Sequence, residues 1–360
     1  MEYKFSKLFS WTSGKPVSAN EHGTIPIYGS NGIIGYTDNS KYFNKIILGR
    51  VGAYCGSVEY CPTEFNATDN TLITTCNEKL ITYPFAFYLL KLMNLNNFAG
   101  GSAQPLITQG LLKHLKCDVP SIEKQKIIAN ILSAYDNLIE NNNKRIKLLE
   151  QMAENLYKEW FVRFHFPGYE DVEFDGTLPI GWQYQPISES MDFFDSQRVP
   201  LSSMQRDEME KIYPYYGAAK LMDYVDDYLF DGEYLLLGED GTVVTTDGFP
   251  VLQLVNDKFW VNNHAHVIRG KGNISTRFLY LTFCRFPITG IVTGSAQPKI
   301  SKGRLEKLKI LVPDVITMEH FNNLINPMFD EINVLKKQLI RITKQRDLLL
   351  PRLMSGKLEV

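Results

Sequence analysis

Cysteine, histidine, excess charge and long apolar runs are all scarce in this chain. Its 360 residues include 5 cysteines and 6 histidines. Cys55, Cys61, Cys76, Cys117 and Cys284 are odd in number and irregularly spaced, which fits reduced thiols better than a disulfide framework. No apolar run approaches the ~20 residues that span a bilayer. Met1-Glu-Tyr-Lys-Phe-Ser6 has none of the features of a signal peptide, so a cytoplasmic address is expected. A formal net charge of −2 argues against a protein that coats nucleic acid by bulk electrostatics. The balance is nonetheless uneven. Residues up to Lys116 are mildly basic, whereas the stretch from Phe166 to about Leu311 is acidic, with clusters at Asp223-Tyr-Val-Asp-Asp227 and Glu239-Asp240.

Catalytic signatures are missing too. There is no Asn/Asp-Pro-Pro-aromatic box, no phosphate-cradling Walker loop and no nucleophile elbow. Pro313-Asp314 suggests a nuclease carboxylate, but it sits where a helix begins and lacks acid and lysine followers. His264-Ala-His266 and Cys55 with Cys61 are the metal-like pairs, and no third ligand is spaced to close a site around either. Packing and surface roles are the expectation for these residues, and no metal is expected.

What is present is a repeat. Gly101-Ser-Ala-Gln-Pro105 leads through Ile107, Gly110, Leu112, Leu115, Lys116 and Val119-Pro120 into a long helical pattern. Gly294-Ser-Ala-Gln-Pro298 leads through Ile300, Gly303, Leu305, Leu308, Lys309 and Val312-Pro313 into another. An offset of 193 carries one helix's apolar positions onto the other's. The first set is Leu132, Tyr135, Ile139, Asn142, Ile146, Leu149, Ala153, Leu156 and Trp160; the second is Ile325, Met328, Ile332, Leu335, Leu339, Ile342, Arg346, Leu349 and Leu353. Alternating gaps of three and four describe a coiled-coil seam rather than the wider stripe of a helix on a globular core. Asn142 and Arg346 interrupt it. Matching Leu132 with Leu353 puts Arg346 opposite Ile139, one layer from Asn142, which predicts a local polar layer.

The rest divides accordingly. Residues 1–117 read as short strands broken by Gly, Asn and Pro, with Tyr83 to Leu92 the best helix. Residues 118–165 form the first long helix, capped by Ser121, with Glu123 in its first turn. Residues 166–312 form a second mixed domain, and 313–360 the second long helix, beginning near Thr317 with a kink expected at Pro327. Tyr213-Pro-Tyr-Tyr-Gly217 answers Ile25-Pro-Ile-Tyr-Gly29, Tyr234-Leu-Leu-Leu-Gly238-Glu239 answers Ile46-Ile-Leu-Gly49-Arg50, and Phe278 to Phe283 answers the helix around Phe85. The expected fold is mixed α+β: two α/β domains separated by two long antiparallel coiled-coil helices, related by a pseudo-twofold internal repeat. At ~1.5 Å per residue, forty helical residues span ~60 Å, more than one turn of B-DNA. Such a molecule reads two short sequences across a gap, or else carries two protein partners.

The repeated Gly-Ser-Ala-Gln-Pro box, the Val-Pro leading into a Glu/Lys/Gln-rich helix, the Gly181-Trp182 start of the second domain and the duplicated layout together resemble the specificity subunit of type I restriction–modification systems. The resemblance covers essentially the whole chain. It implies a noncatalytic subunit whose two target-recognition domains each read half of a split double-stranded DNA target. Its helices would space those domains and dock two methyltransferase subunits, and restriction/translocase subunits would join that core. S-adenosylmethionine, ATP and Mg would then belong to the partners, with no cofactor here. The alternative is a coiled-coil adaptor with two protein-binding heads and no DNA readout; a self-sufficient methyltransferase or nuclease is disfavoured by the missing motifs.

Candidate DNA contacts follow from side-chain chemistry. Arg50 suits guanine or phosphate, and Glu239 at the equivalent place suits cytosine N4, with a surface salt bridge as the plain alternative. Tyr28, Ser30 and Asn31 in one loop, and Tyr216 and Lys220 in the other, carry suitable groups. Gln104 and Gln297 offer amides that donate and accept. Their identity in both halves favours a turn-and-docking role over base reading.

Overall fold

The computed structural model describes residues 1–100, 105–294 and 296–360, and it divides into two compact units: Met1–Asn141 with Gln338–Val360, and Asn142–Lys337. Each unit contains one mixed domain and one half of each long helix.

In the first unit a six-stranded sheet runs in the order Phe9–Ser13, Thr71–Cys76, Tyr42–Gly49, Val58–Ala67, Ile25–Gly29, Gly32–Thr37. Pairing is antiparallel except between Ile25–Gly29 and Val58–Ala67. The run Ile46-Ile-Leu48 is buried throughout because the central strand has a core on each face. Ile46 and Leu48 pack with Phe85 and Leu89 of the helix Tyr83–Leu92, while Ile47 packs with Phe65 and Ile73 on the other side.

The second unit repeats this order in two four-stranded sheets. Met191–Phe193, Ala265–Gly270, Tyr234–Gly238 and Leu252–Val255 form one. Phe230–Asp231, Lys258–Val261, Tyr213–Tyr216 and Leu221–Val225 form the other. The single strand Val58–Ala67 is here two strands, parted at Asn256-Asp257, where Asp257 adopts φ 81°. The parallel pairing recurs between Tyr213–Tyr216 and Lys258–Val261, and the hairpin bulge at Ile27/Tyr28 recurs at Tyr215/Tyr216. Leu235, Leu236 and Leu237 are fully buried, as the central strand requires.

The first long helix is Ile122–Phe161 and the second Val315–Met354. Ser121 Oγ accepts from Lys124 N at 3.5 Å, a long cap bond. The second helix begins two residues before the expected Thr317. Its cap is Asp314, which accepts from Thr317 N (3.0 Å), Thr317 Oγ1 (2.6 Å) and Trp182 Nε1 (3.1 Å). Asp314 therefore starts a helix, which continues through Pro327.

Within each unit the helix segments pair antiparallel. In the first, Arg346 Nη1 meets Asp136 Oδ1 at 2.7 Å, and Leu132 and Leu353 share a core. In the second, Arg145 pairs with Glu331, while Trp160 and Phe161, further along the first helix, pack on Phe321, further back along the second. All eighteen seam positions named above are buried or half-buried. Two features depart from the heptad reading. The stripe widens where the first helix meets each domain: Ile128 and Ala129 join the first core, and Tyr157, Trp160 and Phe161 pack on Phe321, with Tyr157 and Phe161 also on Phe278. Arg346 takes part in a polar chain in which Asp136, off the seam, accepts from both Arg346 and Tyr88 Oη (2.7 Å); Asn142, the other polar seam residue, is buried. No helix among the described residues is long and apolar enough to cross a membrane.

Candidate nucleic-acid interface

Three loops meet at one edge of each domain, tied by the same backbone hydrogen bonds. In the first unit, Thr68 N donates to Tyr28 O (2.9 Å), Arg50 N to Asn70 O (2.9 Å), Ile107 N to Arg50 O (3.0 Å) and Gly52 N to Pro105 O (3.1 Å). In the second, Asn262 N donates to Tyr216 O (3.1 Å), Glu239 N to His264 O (2.8 Å), Ile300 N to Glu239 O (2.8 Å) and Gly241 N to Pro298 O (3.0 Å). The residues that flank the repeated box are held at this junction. Gly100 and Leu106 exchange both backbone bonds across its first copy, and Thr293 and Lys299 do so across the second. Gln104 lies outside the described residues; Gln297 is exposed.

Glycine is required where backbones crowd. A Cβ on Gly49 would press into Ser57 Oγ and the Tyr54 carbonyl, and Gly294 adopts φ 82° against the Gln297 carbonyl.

The junction of the first unit lines a depression of about 370 Å³, bounded by Ser30, Asn31, Ile34, Val51, Tyr54 and Asn70 among others. Asn31 is exposed on its rim. Arg50 is half-buried beside it; its Nε is shielded from solvent without a hydrogen-bond partner, and no carboxylate pairs with its guanidinium among the described residues. Ser30 Oγ is spent internally on Asn70 O (2.6 Å). Tyr28 packs edge-on against Phe65 with its ring centroid 5.7 Å away, and Tyr216 packs likewise on Phe259 at 5.9 Å. Burial pushes the Tyr216 hydroxyl up to about 12. Both tyrosines are thus packing groups more than free stacking platforms. Lys220 is exposed.

Glu239 is not a free acceptor. Arg198 Nη1 holds its Oε2 at 2.7 Å and Lys299 Nζ approaches Oε1 at 3.3 Å. His266, buried on the adjacent strand, sets Nδ1 2.6 Å from Asp195 Oδ2 and Nε2 2.8 Å from the Ile300 carbonyl. Burial pushes the Asp195 carboxyl up, but His266, the Val267 N–H and Arg198 outweigh it and hold the group below the usual carboxylate range. Asp195, Glu239 and His266 come close enough to share a cation. Arg198 already supplies that charge and both imidazole nitrogens are engaged, so the cluster reads as an ion-pair network. His264 lies in the turn before Ala265–Gly270 and pairs with Asp240, away from His266's partners. Cys55 and Cys61 likewise belong to separate cores.

The repeat in the sequence does not reveal the turns at Thr68–Asn70 and Asn262–His264, which share no residue at equivalent positions, or Arg198. The matching backbone bonds identify the turns, and the ion pair with Glu239 identifies Arg198.

A chain built from two copies of one mixed domain, each with a loop junction at its edge and a share of two paired long helices, belongs to the class of duplicated recognition proteins. Its sequence matches the family described as the type I restriction modification DNA specificity domain over residues 10–151 and again over 179–337, and the chain belongs to that family. It is a type I specificity subunit with two DNA specificity domains. Similar proteins include the type I restriction enzyme MjaIX specificity subunit of Methanocaldococcus jannaschii, 29% identical over 300 residues that cover 77% of this chain and 69% of that one. The type I restriction enzyme EcoprrI specificity subunit of Escherichia coli is 37% identical over 157 residues, 41% of this chain and 39% of that one. In fold, the chain is similar to the crystal structure of a type I restriction–modification S subunit from M. genitalium, with a TM-score of 0.72 at 17% identity, covering 98% of this chain and 96% of that one.

Proposed function

We propose that each domain reads one half of a split double-stranded DNA target, and that the long helices space the domains and dock two methyltransferase subunits, to which restriction/translocase subunits add. Catalysis, with its S-adenosylmethionine, ATP and Mg, then belongs to those partners, and the assembly works in the cytoplasm. In this division residues 1–117 and 166–312 are the readers, and 118–165 and 313–360 the spacer and docking helices. The observation that carries the reading is the duplicated loop junction. Two domains keep four equivalent backbone bonds while placing different side chains over them, as two readers with different targets would. Arg50, whose guanidinium meets no carboxylate among the described residues, is the leading base or phosphate contact of the first domain; Asn31 flanks it, and Lys220 and Gln297 are exposed polar groups of the second.

The test is co-expression with candidate methyltransferase subunits followed by mapping of methylated sites. Two short defined blocks around a fixed gap are expected, and exchanging residues 1–117 for those of a relative should change one block only. A single continuous block, or indifference to sequence, would refute the proposal.

A further inference from the structure

The two junctions carry opposite chemistry on one backbone. Equivalent positions hold Arg50 and Glu239, Val51 and Asp240, Asn70 and His264, and Leu106 and Lys299. The second domain thus places two carboxylates where the first has an arginine and a valine, an odd surface to offer to DNA. The side chains resolve this. Each carboxylate is covered by a base from a neighbouring loop, Glu239 by Lys299 and Asp240 by His264. The acids are 15% and 18% exposed, the bases 49% and 47%. The outer layer of this acidic junction is therefore basic.

Glu239 is committed on both oxygens, since Arg198, itself 12% exposed, holds the second at 2.7 Å. Arg198 is anchored in turn by the Ala265 carbonyl at 2.7 Å. Lys299 has its main chain fixed, donating from N to Thr293 O (2.7 Å) and accepting from Thr293 N (2.9 Å), so that only its side chain is free to move. An ammonium whose root and seat are both fixed is placed as Arg50 is in the first domain, but from the adjacent loop.

We propose that Lys299 is the base-reading side chain of the second domain, directed at a purine acceptor edge such as guanine O6 and N7, and that Glu239 is the positioning residue beneath it. Guanine recognition by lysine through that edge is ordinary major-groove chemistry. The loop that carries Lys299 is the one pinned by Ile300 to Glu239 on its main-chain side and to His266 through its carbonyl. The first domain has the apolar Leu72 in the place of His266 and reads from Arg50 instead.

The inference rests on the half-site reading above, and the experiment separates the two. The full chain, assembled with its methyltransferase partner, is used to select targets from randomised duplexes. Lys299→Ala should relax discrimination about tenfold at one position of the second block and leave the first block unchanged. Lys299→Arg should keep that position, Glu239→Gln should relax the same position in part, and Lys302→Ala, a change to an exposed neighbouring lysine, should do nothing. If Lys299→Ala leaves every base preference intact and only flattens the salt dependence, Lys299 is a phosphate contact and the inference fails. It also fails if both blocks relax together, which would mark general damage. A wild-type complex that selects no second block would overturn the half-site reading itself, and this inference with it.

Discussion

Arg277 offers the sharpest test of how the second unit holds its helix. It lies on the short helix Thr276–Phe283, with its side chain only 10% exposed. Its Nε donates to both oxygens of Glu233 (3.1 and 2.9 Å), Nη1 to the Asn326 carbonyl (2.7 Å) and Nη2 to Asp330 Oδ1 (2.6 Å). Asn326 and Asp330 belong to the second long helix, so one guanidinium joins domain to helix. Burial works against its charge, but Glu233 and Asp330 outweigh that and raise its affinity for the proton. Stripping one member from a buried pair costs ~3–5 kcal/mol when the other charge stays buried. Here Asp330 is 67% exposed and rehydrates, which leaves Glu233, 20% exposed, as the stranded group. Arg277→Met should therefore cost about 2–3 kcal/mol. Because two units need not unfold together, the measurement is native-state hydrogen exchange in the helix turn around Asn326 and Asp330. Arg346→Met in the first unit removes a pair at 22% and 29% exposure and should cost only ~1 kcal/mol. A loss below ~0.5 kcal/mol for Arg277→Met, or the reverse ranking, would refute the argument that burial of the stranded partner sets the cost.

Asp195 is ionised in its network with a depressed pKa, so its contribution is fully present above the unfolded carboxylate value of ~3.9 and is lost as pH falls through the lower folded value. Asp195→Asn should flatten the acid limb of stability of the second unit, measured by unfolding from pH 6 down to pH ~2. Asp314→Ala should cost ~1 kcal/mol through the lost cap of the second long helix, read as faster amide exchange in its first turn. Gly294→Ala imposes a positive φ on a residue with a Cβ and crowds the Gln297 carbonyl. It should destabilise the second junction by ~1–2 kcal/mol and weaken recognition of the second block alone.

The long helices, their seams and the helix Tyr83–Leu92 were legible because each signal is local: a repeating gap, a cap, a run of apolar residues between breakers. The equivalence of the central strands was legible for a similar reason, since a strand buried on both faces must be apolar along its length. What escaped was set by contacts between distant segments. Asp136 lies off the heptad seam, and only the approach of Tyr88 and Arg346 makes it a partner. Glu239 reads as an exposed acceptor until Arg198 and Lys299 arrive from other loops. The offset that superposes the boxes also fails at Arg50 and Glu239, because the loops between strands differ in length.

The identity of the box and the diversity around it have a single physical cause. Residues that hold the junction together act through backbone groups, and the sequence needed there is what permits the turn: glycine at 52 and 241, where φ is 77° and 82°, and proline at 105 and 298, whose carbonyls accept from those two glycines. Those requirements are the same in both domains whatever is bound. Side chains that stand over the junction make none of the four backbone bonds and are free to change, so long as any charge introduced is answered. The second domain met that condition by placing Arg198, His264, His266 and Lys299 around Glu239, Asp240 and Asp195. A substitution at this surface is therefore tolerated only as part of such a set. Glu239→Arg alone, made to mimic Arg50, would set a third cation between Arg198 and Lys299 and leave Arg198, whose side chain is only 12% exposed, with Asp195 as its one remaining carboxylate, whereas the change combined with Arg198→Leu, His266→Leu and Asp195→Asn leaves no buried charge unanswered and restores at 266 the apolar side chain that Leu72 gives the first domain.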